Sequence, residues 1–481
     1  MSKTNYIFLD TETDSGRMTA SILDICAIFC DSNFNVIEEF NCTARLRKSR
    51  IYEIDSFLVN GLNPFDVDKY ENSNFDLTKK TFDKLKSWIA KGPVKFVAHN
   101  GEQFDYMLFS QHLFANLFTW PWIFGSGNAK KLDSLPIVQN FDFYQPNMIA
   151  TELNEKGNKV FKLASICRVN GFDIGKASHT AAGDTHGCIN LFSLLKKKNP
   201  KFFEKVTNFT DPNDVVSKMK NEDYFCHPET FFSRTRNFSS SYICEHPVYK
   251  SYHLVADLKH DWEKFFQETS DTVLDKVLNS PPKKYRTIKA KKNPLIMEKN
   301  IATSFNDEYS KLGDEILKSR AEFIKKNRGK IAERLCKIIS YKFQEDNIDQ
   351  TPLEPEQMIF SLKPSPEEKS LMDRYVWSNQ EEQFKIHKKF TGPIKHLSDM
   401  ALLDKYGKDG FTDAEYKTVR STISRRLLST NKEAFPTIPE AMERIDTLRD
   451  QNKDDTKKLE ILENINAHLD IIAKDHEKFL K

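Results

Sequence analysis

The stretch Phe8-Leu9-Asp10-Thr11-Glu12-Thr13 decides the fold. It continues an apolar run, residues 5–10, that reads as a β-strand. Strand side chains alternate between faces, so Asp10 and Glu12 project from one side. Two neighbouring carboxylates repel each other unless a cation is shared between them. An Asp-x-Glu pair alone also fits an exposed strand edge, so its meaning depends on what else the chain brings near.

Outward from this strand, residues 22–30 and 35–43 have the same apolar, β-branched character and short polar connections. They predict an antiparallel meander at the start of a mixed sheet. Residues 76–90 read as an amphipathic helix with Phe82, Leu85, Trp88 and Ile89 on one side, stopped by Gly92-Pro93. Val94–Ala98 supplies another strand, and helices are predicted at 104–118, about 160–170 and about 182–198. A sheet followed by alternating helices and strands predicts an α/β domain over residues 1–200.

Two further motifs give the first one weight. His99-Asn100-Gly101-Glu102-Gln103-Phe104-Asp105 places Asp105 after a strand and a polar turn, where open α/β sheets carry their sites. In His179-Thr180-Ala181-Ala182-Gly183-Asp184, the acid lines up with Cys188, Leu191 and Leu195 at spacings of four, seven and eleven. That apolar stripe faces the sheet, and an acid on it needs a partner. A cation held by the strand carboxylates, a Lys or Arg, or the helix dipole would each serve. His179 precedes Asp184 by five residues, about 500° of helix, and so is placed on a turn before the helix. Its ordinary pKa suits it to accept a proton from water. Oxygen ligands suit Mg²⁺ or Mn²⁺, and two such ions can clamp the attacking and leaving oxygens of a phosphodiester.

The chain has 481 residues, room for about three domains. Its 72 Lys and Arg nearly balance 69 Asp and Glu, for a net charge of +3. Any polyanion surface must therefore come from local clustering. The eight cysteines show no CxxC pair and no zinc spacing; Cys26 and Cys30 read as core residues. The N-terminus lacks the marks of a secretory signal, and no apolar run approaches a membrane span. A cytoplasmic protein is expected. Lys196–Pro200 marks a boundary. From 201 to about 350 short strands (His253–Asp257, Pro294–Met297) mix with helices such as 313–343. Beyond 355 the chain reads as helical: Ser365-Pro366-Glu367-Glu368 is a helix start, and long helices fit 412–428 and about 436–478. Lys283–Lys292 carries six cations in ten residues around Tyr285. It reads equally as a grip for single-stranded nucleic acid and as a solvated linker.

The three acidic motifs resemble the DEDD exonuclease superfamily, and the histidine five residues before the last Asp is similar to its DEDDh branch. The resemblance extends along the chain to the bacterial exonuclease I family. It is carried by Phe34–Ile37, Leu58–Pro64, Leu132–Leu135, Phe161-Lys162-Leu163, Asn170-Gly171, His253–Leu258 and Phe360-Ser361. It implies a ribonuclease H-like exonuclease domain (1–200), an SH3-like α+β domain (201–354) and a C-terminal helical domain (355–481). It implies Asp10, Glu12, Asp105 and Asp184 as catalytic ligands of two Mg²⁺ ions, which Mn²⁺ can replace, and His179 as the base. Thr11, Phe104, Lys162, Lys284 and Tyr285 are the candidate substrate contacts. The implied reaction is 3′→5′ hydrolysis of single-stranded DNA to 5′-mononucleotides in DNA repair and recombination. The implied partners are single-stranded DNA and the acidic tail of single-strand-binding protein, with the enzyme a monomer. An RNA-trimming enzyme and a non-catalytic DNA-binding scaffold are the alternatives. The chain departs from the family at Tyr106, where a second acid is usual, and after Thr13, where a downstream proline is missing. His99-Asn100 and Leu23–Cys26 look more like the short DEDDh enzymes.

Overall fold

The computed structural model describes residues 4–172, 180–208, 211–267, 270–346, 353–431 and 433–480. Contacts gather the chain into two compact units that do not follow sequence order. One comprises Met1–Lys131, Ile174–Ile189 and Pro352–Lys481; the other comprises Leu132–Asp173 and Asn190–Thr351.

The first unit is built on a five-stranded sheet. Its strands are β1 (Asn5–Thr13), β2 (Ile22–Cys30), β3 (Val36–Thr43), β4 (Val94–Ala98) and β5 (Ala129–Asp133), in the order β3-β2-β1-β4-β5. β1 pairs antiparallel with β2 and parallel with β4, and β2 pairs antiparallel with β3, so the sheet is mixed as predicted. Alternation sends Ile7 and Leu9 into one core and Asp10 and Glu12 to the opposite face. That core is filled by Phe75, Phe82, Leu85 and Trp88 of the Asn74–Ile89 helix, and by Leu108, Phe109 and Leu113 of the Asp105–Ala115 helix. The first of these helices is fixed by a capping box between Ser73 and Asp76.

The C-terminal helices return to this unit and complete its cores. Tyr375, Ile386, Ile394 and Leu402 belong to the same buried cluster as Ile7 and Phe96. A second cluster joins Leu23, Tyr52 and Phe57 to Ile423, Leu427, Ile445, Leu462 and Leu469. The Ser365 capping box forms as expected. The single helix expected over 436–478 is instead two, Ile438–Gln451 and Thr456–Glu477. Asp455 breaks it by accepting the backbone N–H of Lys458 as an N-cap.

The second unit centres on a four-stranded antiparallel meander: Phe225–Phe231, Arg234–Glu245, Tyr252–Asp257 and Tyr285–Lys289. The predicted strand 294–297 shrinks to one bridge, Met297 to Cys226. The long helix runs Asp307–Asp346 and kinks at Gly313, whose φ of 75° only glycine adopts easily. Its Leu317, Ala321, Ile324, Ile331, Leu335 and Ile338 are buried, an apolar stripe at helical spacing.

Candidate active site

Asp10, Glu12 and Asp184 converge on the face of the sheet opposite the Ile7–Leu9 core. Asp10 and Glu12 share one side of β1, and the Ala181–Lys198 helix brings Asp184 to them. One oxygen from each of these three carboxylates lies within 4.8 Å of the others. The helix is seated as its stripe required: Cys188, Leu191 and Leu195 are buried at 2%, 0% and 0% exposure. Its first turn is locked because Thr180 Oγ1 accepts from the Gly183 N–H at 3.1 Å.

Asp105 begins the Asp105–Ala115 helix and is buried. Thr11 Oγ1 donates to its Oδ1 at 2.7 Å, so Thr11 orients this carboxylate. The turn that delivers it is tight: Asn100 has φ 65°, and a Cβ on Gly101 would lie 2.5 Å from the Ala98 Cβ. Only glycine fits there. Asp105 stands outside the three-carboxylate group, yet it is the neighbour that most raises the pKa of Asp10. Phe104, just before it, packs partly buried against the main core.

The electrostatics of Asp10 and Glu12 are those of like charges held together. Burial, then Asp105, Asp184, Glu12 and Asp24, holds Asp10 well above the usual carboxylate range. Burial, then Asp184, Asp24 and Asp105, pushes Glu12 up to about 7. Among the described residues, neither has a cationic partner; the polar contact to Glu12 is Asn60 Nδ2, at 3.2 Å. An all-carboxylate donor set of this kind fits a hard divalent cation and little else. Such a cation would replace mutual repulsion by shared attraction.

Two residues here were missed by sequence reasoning. Asp24 lies opposite Glu12 in the β1–β2 register, and its carboxylate accepts the backbone N–H of Ala181. It thereby holds the start of the helix that carries Asp184. Asn60 ends the Ile54–Asn60 helix, with Gly61 in the left-handed region behind it. That Asn-Gly pair is a helix-end signal that the sequence does display.

The remaining candidates are spread over the molecule. His179 lies outside the described residues. Tyr106 is a core residue, its ring 5.8 Å from Lys131 Nζ, which bonds Glu102 at 2.9 Å. Lys162 is exposed at the N-cap of the Leu163–Val169 helix. Tyr285 is half-buried on its strand and donates to Asn279 Oδ1 at 3.0 Å. Lys284 is 9% exposed, and its ammonium donates to Ser280 O and Oγ and to Pro282 O. Three donors on three internal acceptors leave it nothing for a phosphate. The basic run is therefore neither a linker nor uniformly available: its middle is a sheet strand.

No family model matches the chain. It is 26% identical over 228 residues to exodeoxyribonuclease I of Buchnera aphidicola subsp. Schizaphis graminum, covering 46% of each chain. It is 22% identical over 371 residues to that of Buchnera aphidicola subsp. Baizongia pistaciae, covering 72% of this chain and 73% of the relative. The matched region is thus about half the length of the first relative and about three quarters of the second. Among solved structures, E. coli exonuclease I in complex with a dA16 oligonucleotide superposes with a TM-score of 0.81 at 14% identity, over 98% of this chain and 100% of that one. By sequence the chain is similar to exodeoxyribonuclease I, and its fold is that of exonuclease I.

Proposed function

We propose that this chain is a divalent-metal-dependent 3′→5′ exonuclease that hydrolyses single-stranded DNA to 5′-mononucleotides, acting in DNA repair and recombination. The observation that carries the proposal is the meeting of Asp10, Glu12 and Asp184 within 4.8 Å, with Asp105 the neighbour that bears most on Asp10. The sequence similarity to exodeoxyribonuclease I and the shared fold support the substrate class.

In this reading Asp10, Glu12, Asp105 and Asp184 hold two Mg²⁺ ions, or Mn²⁺ in their place. When bound, such ions supply Lewis acidity to the scissile phosphate and lower the pKa of water. The protein supplies geometry. Thr11 fixes the Asp105 carboxylate, and Asp24 fixes the start of the helix that carries Asp184. His179 is assigned the proton of the attacking water, on the strength of its place five residues before Asp184. Phe104, Lys162 and Tyr285 are assigned to the DNA strand, by stacking and phosphate contact. Lys284 is assigned only to shaping the loop beside Tyr285. A structure of this fold is a complex of exonuclease I with SSB-Ct, and by that likeness single-strand-binding protein is the proposed protein partner of a monomeric, cytoplasmic enzyme.

The test is digestion of 5′-labelled oligonucleotides as single-stranded DNA, duplex DNA and RNA, with Mg²⁺ or with EDTA. Stepwise shortening of single-stranded DNA with Mg²⁺ alone is expected. Undiminished cleavage in EDTA would remove the metal mechanism, and preference for RNA, with its 2′-OH, would reassign the substrate.

A further inference from the structure

Within the first unit, a cavity of about 510 Å³ opens between the Arg45–Arg50 segment and the C-terminal helices. Its volume is in the range of small-ligand sites, about 300–1,000 Å³. Its charge is opposite to that of the acid cluster, since six Lys and Arg side chains line it against two acids. Most of these are already committed. Arg45 donates to the backbone carbonyls of Glu71, Asp404 and Lys405. Lys408 pairs with Asp413 at 2.8 Å, and Arg420 with Asp475 at 2.5 Å. The other lining acid, Asp68, is held by His468 at 2.9 Å.

Arg47 and Lys48 are different. Arg47 is 6% exposed, yet its guanidinium makes no hydrogen bond among the described residues. It forms a buried ion pair with Asp404, Nε to Oδ2 3.9 Å, which is too long for a hydrogen bond. Its Nε is buried without an acceptor, which is costly unless something accepts from the guanidinium. Lys48, adjacent and exposed, has no ion pair among the described residues, and a Cβ on Gly407 would come 3.2 Å from its Nζ. A planar donor fork beside an exposed ammonium is the donor set that tetrahedral phosphate oxygens take up. Tyr52 and the exposed side chain of Ile471 line the same cavity and offer an apolar surface to a group carried by that phosphate.

We infer that this cavity is a binding site for a phosphate dianion, free or as a nucleoside monophosphate, held by Arg47 and Lys48. The site is separate from the acid cluster and does not depend on the reaction proposed there.

The test is calorimetric titration of the full chain in EDTA at low ionic strength with inorganic phosphate, with dAMP, and with an acidic peptide. EDTA keeps metal at the acid cluster from recruiting the anion. Phosphate or dAMP is expected to bind at about 1 mM or tighter. Lys48→Glu, an exposed position, is expected to weaken binding at least about tenfold, and Arg47→Gln to remove it. Equal affinity for both ligands assigns free phosphate; tighter dAMP assigns the nucleotide. Absence of binding, equal binding by wild type and Lys48→Glu, or binding of the peptide alone would overturn the inference. If Arg47→Gln does not fold, Lys48→Glu carries the decision.

Discussion

Two acids in the same unit, the half-buried Glu12 and the buried Glu356, meet opposite fates. Glu12 is surrounded by carboxylates, and burial with Asp184, Asp24 and Asp105 pushes it up to about 7. Glu356 is more deeply buried, at 1% exposure, but His396 stands 3.2 Å away, Arg426 3.3 Å and Arg50 4.0 Å. Burial alone would raise it; the His396 contact and the guanidiniums of Arg426 and Arg50 instead hold it well below the usual carboxylate range. The same residue type thus serves as a lock beside cationic side chains, and has its ionisation opposed where its described neighbours are carboxylates. At Glu356 the charge is compensated from within, whereas the acid cluster is one that a cation from solution would compensate.

Removing one acid from each region separates the two roles most sharply. Asp10→Ala or Asp184→Ala is expected to lower Mg²⁺-dependent DNA hydrolysis by about a thousandfold. The melting temperature in EDTA should hold or rise, because a like charge has gone. Glu356→Ala should do the reverse. It strands buried arginines and costs about 3 kcal/mol of stability, read by urea denaturation. The metal dependence of the remaining activity should not change.

The two acids also respond to pH in opposite directions and in separate windows. Glu12 ionises near 4.5 when unfolded and near 7 when folded without metal. Between those values the native state holds more protons, so stability falls as pH rises through that range. Glu356 is shifted down, so its contribution is present above pH 4.5 and lost as pH falls below it. Melting curves of metal-free protein should show both slopes. Saturating Mg²⁺ should flatten the first slope and leave the second. The smallest effect is expected at Asp24: replacing it by Ala removes the acceptor for the Ala181 N–H, at about 1 kcal/mol. The same change brings the Glu12 titration closer to 4.5, which the pH profile of the metal-free protein would read.

Much of this site is legible locally. Period-two alternation puts Asp10 and Glu12 on one face, and period-3.6 spacing puts Asp184 on a buried stripe. What is not legible depends on long-range pairing. Asp24 faces Glu12 only because β2 runs back along β1 in a particular register, which no local pattern records. The C-terminal helices carry good caps, but nothing in their sequence says that Tyr375 and Leu402 complete the core under Ile7 and Phe96. Strands Phe225–Phe231 and Arg234–Glu245 escaped notice because Asn237 and Ser239–Ser241 are polar and yet fully buried. Tertiary packing overrides propensity there. Asp455 and Thr456 do show the cap that splits the last helical stretch, and a closer reading would have found it.

The central claim is that Asp10, Glu12 and Asp184 form a cation site completed from solution. It is tested most directly by calorimetric titration of Mn²⁺ into metal-free protein at pH 7, for wild type and for Asp10→Ala. The account predicts saturable binding with proton release by wild type, since Glu12 titrates near that pH, and loss of both in the variant. Binding of equal strength by the two proteins, or none by wild type, would contradict it.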